Sequence, residues 1–130
     1  MEELNIELNL IEFLDKHKIG YRLENGKVIC GGVYLSNKRI STLPKDIGSL
    51  ECNILYLANN NIKELPISIG DIHCRGIYLQ NNDIPQNSLK YLERIENLKN
   101  VSTDYGNDLV WIKQLCVINS RQDKIKSLLI

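Results

Sequence analysis

Apolar residues in the middle of this chain return in fixed columns rather than in one continuous wave. Laid in register, three segments begin CGGVYLSNKRI (residues 30–40), CNILYLANNNI (52–62) and CRGIYLQNNDI (74–84), a step of 22 residues each time. Val33, Leu55 and Ile77 share one column, Leu35, Leu57 and Leu79 the next, and Ile40, Ile62 and Ile84 a third. Cys30, Cys52 and Cys74 hold the first position, while Tyr34, Tyr56, Tyr78 and Asn37, Asn59, Asn81 hold polar or amphipathic columns between. The first two copies stay in step further, Leu43-Pro44 with Leu65-Pro66 and Ile47-Gly48 with Ile69-Gly70. A fixed period in the twenties marks a chain built from stacked structural units, a solenoid. Residues alternate sides along a strand, so the apolar columns can face one core. The pattern predicts short parallel strands in register at about 33–35, 55–57 and 77–79. The first two return segments each carry a Pro and a Gly, which predicts irregular or 3₁₀ structure rather than a long helix.

The flanks do not repeat. Over residues 2–18, Leu4, Leu8, Ile11 and Leu14 fall at helical spacing, and Ile6, Leu10 and Phe13 widen the stripe. Glu2, Glu3 and Glu7 near the start and Lys16, His17 and Lys18 near the end suit a helix dipole, with Gly20 as the stop. This helix is expected to cap the open end of the stack. Asn25-Gly26, between 21–23 and 27–29, predicts a β-hairpin that leads into the first copy. The third return segment, IPQNSLKYLERIENLKNV, lacks Leu-Pro, and Asn87 or Ser88 is expected to cap a true helix to about Glu96 on Leu89, Leu92 and Ile95. Leu98, Val101 and Thr103 then read as a degenerate fourth strand, two residues late in the 22-residue register. Two further helices are expected, from Asn107 or Asp108 to about Val117 and after Ser120, as a cap on the second open end. The alternative is that the last one offers Leu128 and Leu129 to a partner's groove. The chain thus divides as one domain, 1–130: an N-terminal cap of helix and hairpin (1–29), repeats (30–101) and a helical cap (102–130).

The repeated segment resembles the leucine-rich repeat, whose core reads LxxLxLxxNxL followed by LPxxIGxL. Cys takes the first apolar position, Asn60 and Asn82 fill the asparagine position, and Lys38 departs from it in the first copy. A buried asparagine there can satisfy backbone groups left open where the chain turns away from the strand. The resemblance implies an α/β solenoid with parallel strands on its concave face, in a family whose members mostly recognise proteins. The short helix, the hairpin and the GGVYLSNKRISTLP start also look like small repeat proteins of phage and other mobile elements. An Asn-, Lys- and Ile-rich composition fits an AT-rich genome of that kind. That second resemblance implies an inhibitor of a host enzyme or defence complex.

Composition narrows the classes. Sixteen basic and sixteen acidic residues cancel, so no global excess argues for a nucleic-acid footprint or for mimicry of nucleic acid. The four cysteines invite a disulfide reading, but three share an apolar column, where Cys behaves as a small hydrophobe. Reduced thiols point to a reducing compartment. The acidic N-terminus lacks the basic and apolar regions of a signal peptide, and no stretch approaches the roughly 18 apolar residues of a membrane span. A cytoplasmic protein with no membrane partner is expected, in the host cytoplasm if phage-encoded.

Catalytic signatures are missing. No HExxH, GxSxG, P-loop or GxGxxG occurs, and no cofactor or metal is expected. His73-Cys74 suggests a nucleophile pair, but neighbours in an extended segment point to opposite faces. Attention therefore moves to the outward strand positions, Gly32, Tyr34 and Ser36, then Ile54, Tyr56 and Ala58, then Gly76, Tyr78 and Gln80. Parallel strands lie about 4.8 Å apart, so the tyrosines should form a ladder beside Ile54, left uncovered by Gly32, Gly76 and Ala58. Tyrosine is enriched at binding hot spots. The expectation is a non-catalytic protein-binding module, with Tyr34, Tyr56, Tyr78, Ile54, Ser36 and Gln80 as its site. The tyrosines could instead simply pack the sheet. A second class is a structural protein that self-associates into a homo-oligomer. A third, nucleic-acid binding by stacking, is disfavoured because these columns contain no Lys or Arg.

Overall fold

The computed structural model describes residues 8–96 and 98–104, and shows a mixed α/β chain with parallel-strand sheets. Helix α1 spans Leu10–Lys16 and buries Leu10, Phe13 and Leu14. The apolar stripe suggested one helix over residues 2–18; α1 starts at Leu10, and residues 2–7 of that expected helix lie outside the described residues. Asn9 is extended and its side chain accepts from the Glu12 backbone N–H at 2.9 Å, while the Asn9 backbone N–H donates to the Glu12 carboxylate at 3.2 Å. Such a reciprocal box satisfies backbone donors that a continuing helix would bond internally, so it fixes the start here. The Leu10 N–H is also tied to Asp46 Oδ1 at 2.7 Å, which fastens α1 to the first return segment. Nor is Gly20 the stop. Lys18 takes the left-handed conformation (φ 59°), and Lys18 and Ile19 donate to the carbonyls of Asp15 and Leu14. That is a Schellman closure, complete at Ile19, one residue before the glycine.

Strands β1 (Arg22–Glu24) and β2 (Lys27–Ile29) form the expected hairpin, Glu24 opposite Lys27. Asn25 (φ 51°) and Gly26 (φ 78°) both take positive φ, as a two-residue type I′ turn requires. Pattern reading missed the other partner of β2. It pairs in parallel with β4 (Leu50–Glu51), Val28 opposite Leu50, which makes a three-stranded sheet.

A second sheet orders β3 (Gly32–Tyr34), β5 (Ile54–Tyr56), β6 (Gly76–Tyr78) and β7 (Asn100–Ser102), all parallel. Val33, Leu55, Ile77 and Val101 lie in one register row. Each strand starts one residue earlier than expected, and its pairing runs on: Leu35, Leu57 and Leu79 donate to the carbonyls of Tyr56, Tyr78 and Ser102 at 2.7–2.8 Å. The fourth strand is two residues late, as the sequence suggested: Ile77 pairs with Val101. The inward columns are closed from solvent, with Val33, Leu35, Leu55, Leu57, Ile77 and Leu79 all buried. Each such side chain contributes about 1.5–3 kcal/mol by leaving water. Cys52 and Cys74 are buried with them, and Cys30, in the first copy, is half-buried.

The first two return segments contain 3₁₀ turns at Ile47–Ser49 and Ile67–Asp71. The third is a correction: Gln86–Arg94 is also 3₁₀, not α-helical, and neither Asn87 nor Ser88 caps it. Its buried residues Leu89 and Leu92 are three apart, which lines them up on a helix of three residues per turn. Its entry also repeats the earlier ones. The carbonyls of Pro44, Pro66 and Pro85 each accept from the N–H three residues on, Ile47, Ile69 and Ser88.

Asparagines bind successive copies together. Asn60 Oδ1 accepts from the N–H groups of Lys38 and Ile40, and its Nδ2 donates to the carbonyls of Leu35 and Leu57 at 2.8 and 2.9 Å. Asn82 repeats this one copy later, accepting from the Ile62 N–H and donating to Leu57 and Leu79. The Asn37, Asn59 and Asn81 column is explained by backbone: all three are left-handed, φ 58–61°, a conformation Asn tolerates better than most residues. The two helices expected between residue 107 and the end, with Cys116, Leu128 and Leu129, lie outside the described residues.

Candidate functional site

The strands turn one tyrosine per copy away from the core. Tyr34, Tyr56 and Tyr78 are register partners, and their rings follow one another at 6.3 Å and 5.1 Å between centroids, tilted by 36° and 31°. Aromatic pairs in this range contribute about 0.5–1.5 kcal/mol each beyond their buried area. Exposure is uneven: Tyr34 is 62% exposed, whereas Tyr56 and Tyr78 are half-buried. Ile54 lies between Gly32 and Gly76 in the register and is half-buried, its Cγ1 3.6 Å from where a Cβ on Gly76 would stand.

The small neighbours behave differently from expectation. Gly32 does more than leave its tyrosine uncovered: the Tyr34 ring, 62% exposed, lies over it, and a Cβ there would sit 2.5 Å from the ring's Cε2. Gly32 is thus a requirement of the ring's position. Ala58, assigned to the outward face, is buried, as is Gly76. Ser36 and Gln80, in the same outward column as Ala58, are half-buried. Ser36 Oγ and Gln80 Oε1 are shielded from solvent with no hydrogen-bond partner among the described residues. A buried polar atom left unpaired costs about 1–3 kcal/mol.

Asp104 was missed by the sequence reading. Its Oδ1 and Oδ2 accept from the N–H groups of Asn81 (2.7 Å) and Asn82 (3.3 Å). It closes the end of the asparagine series with an acceptor-only group. The signal was present, since Asn60, Asn82 and Asp104 keep the 22-residue step even though β7 does not.

The His73-Cys74 pair does not form an activated thiol. Cys74 is buried and burial pushes its thiol up to about 12, while burial, with Cys74 and Cys30 nearby, raises Cys52 further. Burial also raises the half-buried Cys30. Nucleophilic cysteines are shifted the other way. Among the described residues, no group of three or more His, Cys, Asp or Glu side chains is placed to hold a metal ion, and no helix is long and apolar enough to cross a membrane.

A cavity away from the tyrosines was also not anticipated. A cavity of about 920 Å³ opens between α1 and the return segments, and no residue of the four-stranded sheet lines it. Comparison with protein-family models, curated proteins and solved structures finds no match to this chain.

Proposed function

We propose that this chain is a short leucine-rich-repeat solenoid that binds another protein, without catalysis, through the tyrosine ladder on its concave face. The observation that carries this reading is the outward row of three stacked rings ending in the exposed Tyr34. Tyrosine offers a large contact area, little rotamer entropy to lose and one hydroxyl, the properties of a hot-spot anchor. The 22-residue strand step and the bridging by Asn60 and Asn82 support the solenoid part. Buried, free Cys52 and Cys74 support a reducing, cytoplasmic setting. The resemblance to small phage repeat proteins adds a host enzyme or defence complex as the bound protein, inhibited by the contact.

One observation favours a second reading, self-association. Among the described residues strand β3 ends its sheet, with β5 as its neighbour, so its other edge offers backbone groups to a second copy.

The test is affinity capture from source-cell and host-cell lysates with the native chain and with a Tyr34/Tyr56/Tyr78→Ala variant, circular dichroism establishing that both are folded. The purified captured protein is then titrated against each. Binding by the native chain and loss in the variant is the expected outcome. Equal binding assigns the tyrosines to sheet packing. Capture of the chain by itself, with a mass that grows with concentration, supports the second reading.

A further inference from the structure

The charges of the whole chain cancel, yet the cavity beside α1 is lined by five cationic side chains and two carboxylates. One of those carboxylates, Asp71, already faces Arg94 at 3.8 Å, and the Arg94 guanidinium also donates to the Ile67 carbonyl and rests on Gly70. Lys16 from α1 and Lys38 and Arg39 from the loop after β3 line the cavity as well, and none of the three forms an ion pair among the described residues. His17 registers two of these charges: burial first, then Lys16 and Lys38, lower its pKa. The same cavity has an aliphatic floor, Leu43 and Leu65 with Ile67, which is 62% exposed. An exposed aliphatic side chain beside these cations is an amphipathic surface that has no partner among the described residues.

These are positions where the copies depart from one another. Lys38 and Arg39 stand where the second copy has Asn60 and Asn61 and the third has Asn82 and Asp83. Arg39 is held in a left-handed backbone, φ 58°, which Asn61 and Asp83 do not adopt. A long side chain is strained there, and such strain clusters at functional sites. Ile67 in turn replaces the Lys45 of the first copy.

We propose that this groove binds an acidic peptide segment of a partner protein, its carboxylates on Lys16, Lys38 and Arg39 and an apolar side chain on Leu43, Leu65 and Ile67. A carboxylate presented to an arginine fork accepts two parallel hydrogen bonds, and a volume near 900 Å³ accommodates a short peptide. Nucleic acid fits less well, because its bases need open stacking platforms, and of the rings that line the groove Phe13 is buried and His17 and Tyr91 are half-buried. The site is independent of the tyrosine ladder, none of whose rings lines the groove.

The experiment uses the full chain and a labelled synthetic peptide that alternates Asp or Glu with Leu, followed by fluorescence anisotropy. Lys38→Glu is expected to weaken binding about tenfold or more, as reversal of a paired interfacial charge does. Arg39→Asn is expected to weaken it while raising the urea midpoint of unfolding, since Asn suits a left-handed backbone. That combination separates lost contact from lost fold. Ile67→Ser weakens binding, and Tyr34→Ala leaves it unchanged. Four results overturn the proposal: no binding by the native chain, equal binding by Lys38→Glu, equal affinity for a peptide with Ser in place of Leu, or displacement by oligothymidylate that Ile67→Ser leaves unaffected. The last would identify the groove as a nucleic-acid site.

Discussion

Replacing Asn60 by Ala should remove a large part of the chain's stability, and the amount can be worked from its contacts. Four short bonds are lost, but they do not weigh equally. The Leu57 carbonyl keeps a second donor, Asn82 Nδ2 at 3.0 Å, and the Lys38 N–H is only part-buried, so water can replace its partner. The buried Ile40 N–H and the Leu35 carbonyl are left without Asn60. At about 1–3 kcal/mol for each unsatisfied buried group, the loss is about 3 kcal/mol. Asn82→Ala strips the Ile62 N–H and the Leu79 carbonyl in part-buried surroundings, so about half that loss is expected. Asn61→Ala, at an exposed position, should fall within about 0.5 kcal/mol of the native chain. Asn60→Asp sharpens the test. It keeps the acceptor but turns a carboxylate oxygen toward the Leu35 and Leu57 carbonyls, which favours the protonated acid in the folded state. A folded pKa raised above the unfolded value gives stability that grows as pH falls through the folded pKa and levels off below the unfolded one, near 3.9. Urea unfolding followed by circular dichroism, with an unchanged slope, reads all four. A loss below about 1 kcal/mol in Asn60→Ala, or a larger loss in Asn82→Ala than in Asn60→Ala, would refute the bridging account.

Thiol reactivity should rank by burial: with Cys74 pushed from 9 to about 12, its thiolate at mildly alkaline pH is roughly a thousandfold rarer than that of an open thiol. In a Cys116→Ser chain, iodoacetamide labelling read by mass spectrometry should modify Cys30 first and Cys52 and Cys74 only on unfolding; equal rates would contradict the buried column. Gly32→Ala should swing the Tyr34 ring off its seat at a cost below about 1 kcal/mol, because that ring is largely exposed, while weakening capture of the ladder's partner. Gly76→Ala, whose new Cβ meets the Tyr78 ring at an ordinary 3.4 Å, is the matched control. His17 binds its proton less readily folded than unfolded, so stability should decline slightly as pH falls from above its ordinary value of 6.5 through the lower folded value. Lys38→Ala should raise the imidazole titration seen by NMR and flatten that decline.

Where a residue does the same job in every copy, the sequence announced it. The Leu35, Leu57, Leu79 column and the strand register followed from the period alone, because one-residue slips would turn each apolar set outward. Elements decided by competition were harder to read. The apolar stripe of α1 continues upstream through Leu8 and Leu4, yet the box of Asn9 and Glu12 sets its start. The segment after Pro85 carries apolar residues three apart, which serve an α-helix or a 3₁₀ helix, and no capping side chain shifts the balance to α. Asp104 is hard to see in the sequence because the apolar residues around it slip by two while the polar series keeps its step. The groove beside α1 could not be read at all. It joins Lys16, Lys38 and Arg94 from three separate elements, and only the folded chain brings them to one rim.

Stacking and binding are both reasons for a tyrosine in each copy, and the ladder's own asymmetry separates them. If mutual packing were the whole purpose, the closer pair, Tyr56 and Tyr78 at 5.1 Å and both half-buried, would already supply most of it. Tyr34 stands 6.3 Å from its neighbour, spends most of its surface in water and requires a bare Gly32 beneath it. A smaller residue would end the stack with less exposed apolar area and no constraint on position 32. Tyr34 is therefore the ring at which packing explains least, and the one on which the proposed contact with a partner chiefly rests. Tyr34→Ala alone should leave the unfolding midpoint nearly unchanged and still remove much of the binding, whereas Tyr56→Ala should lower both.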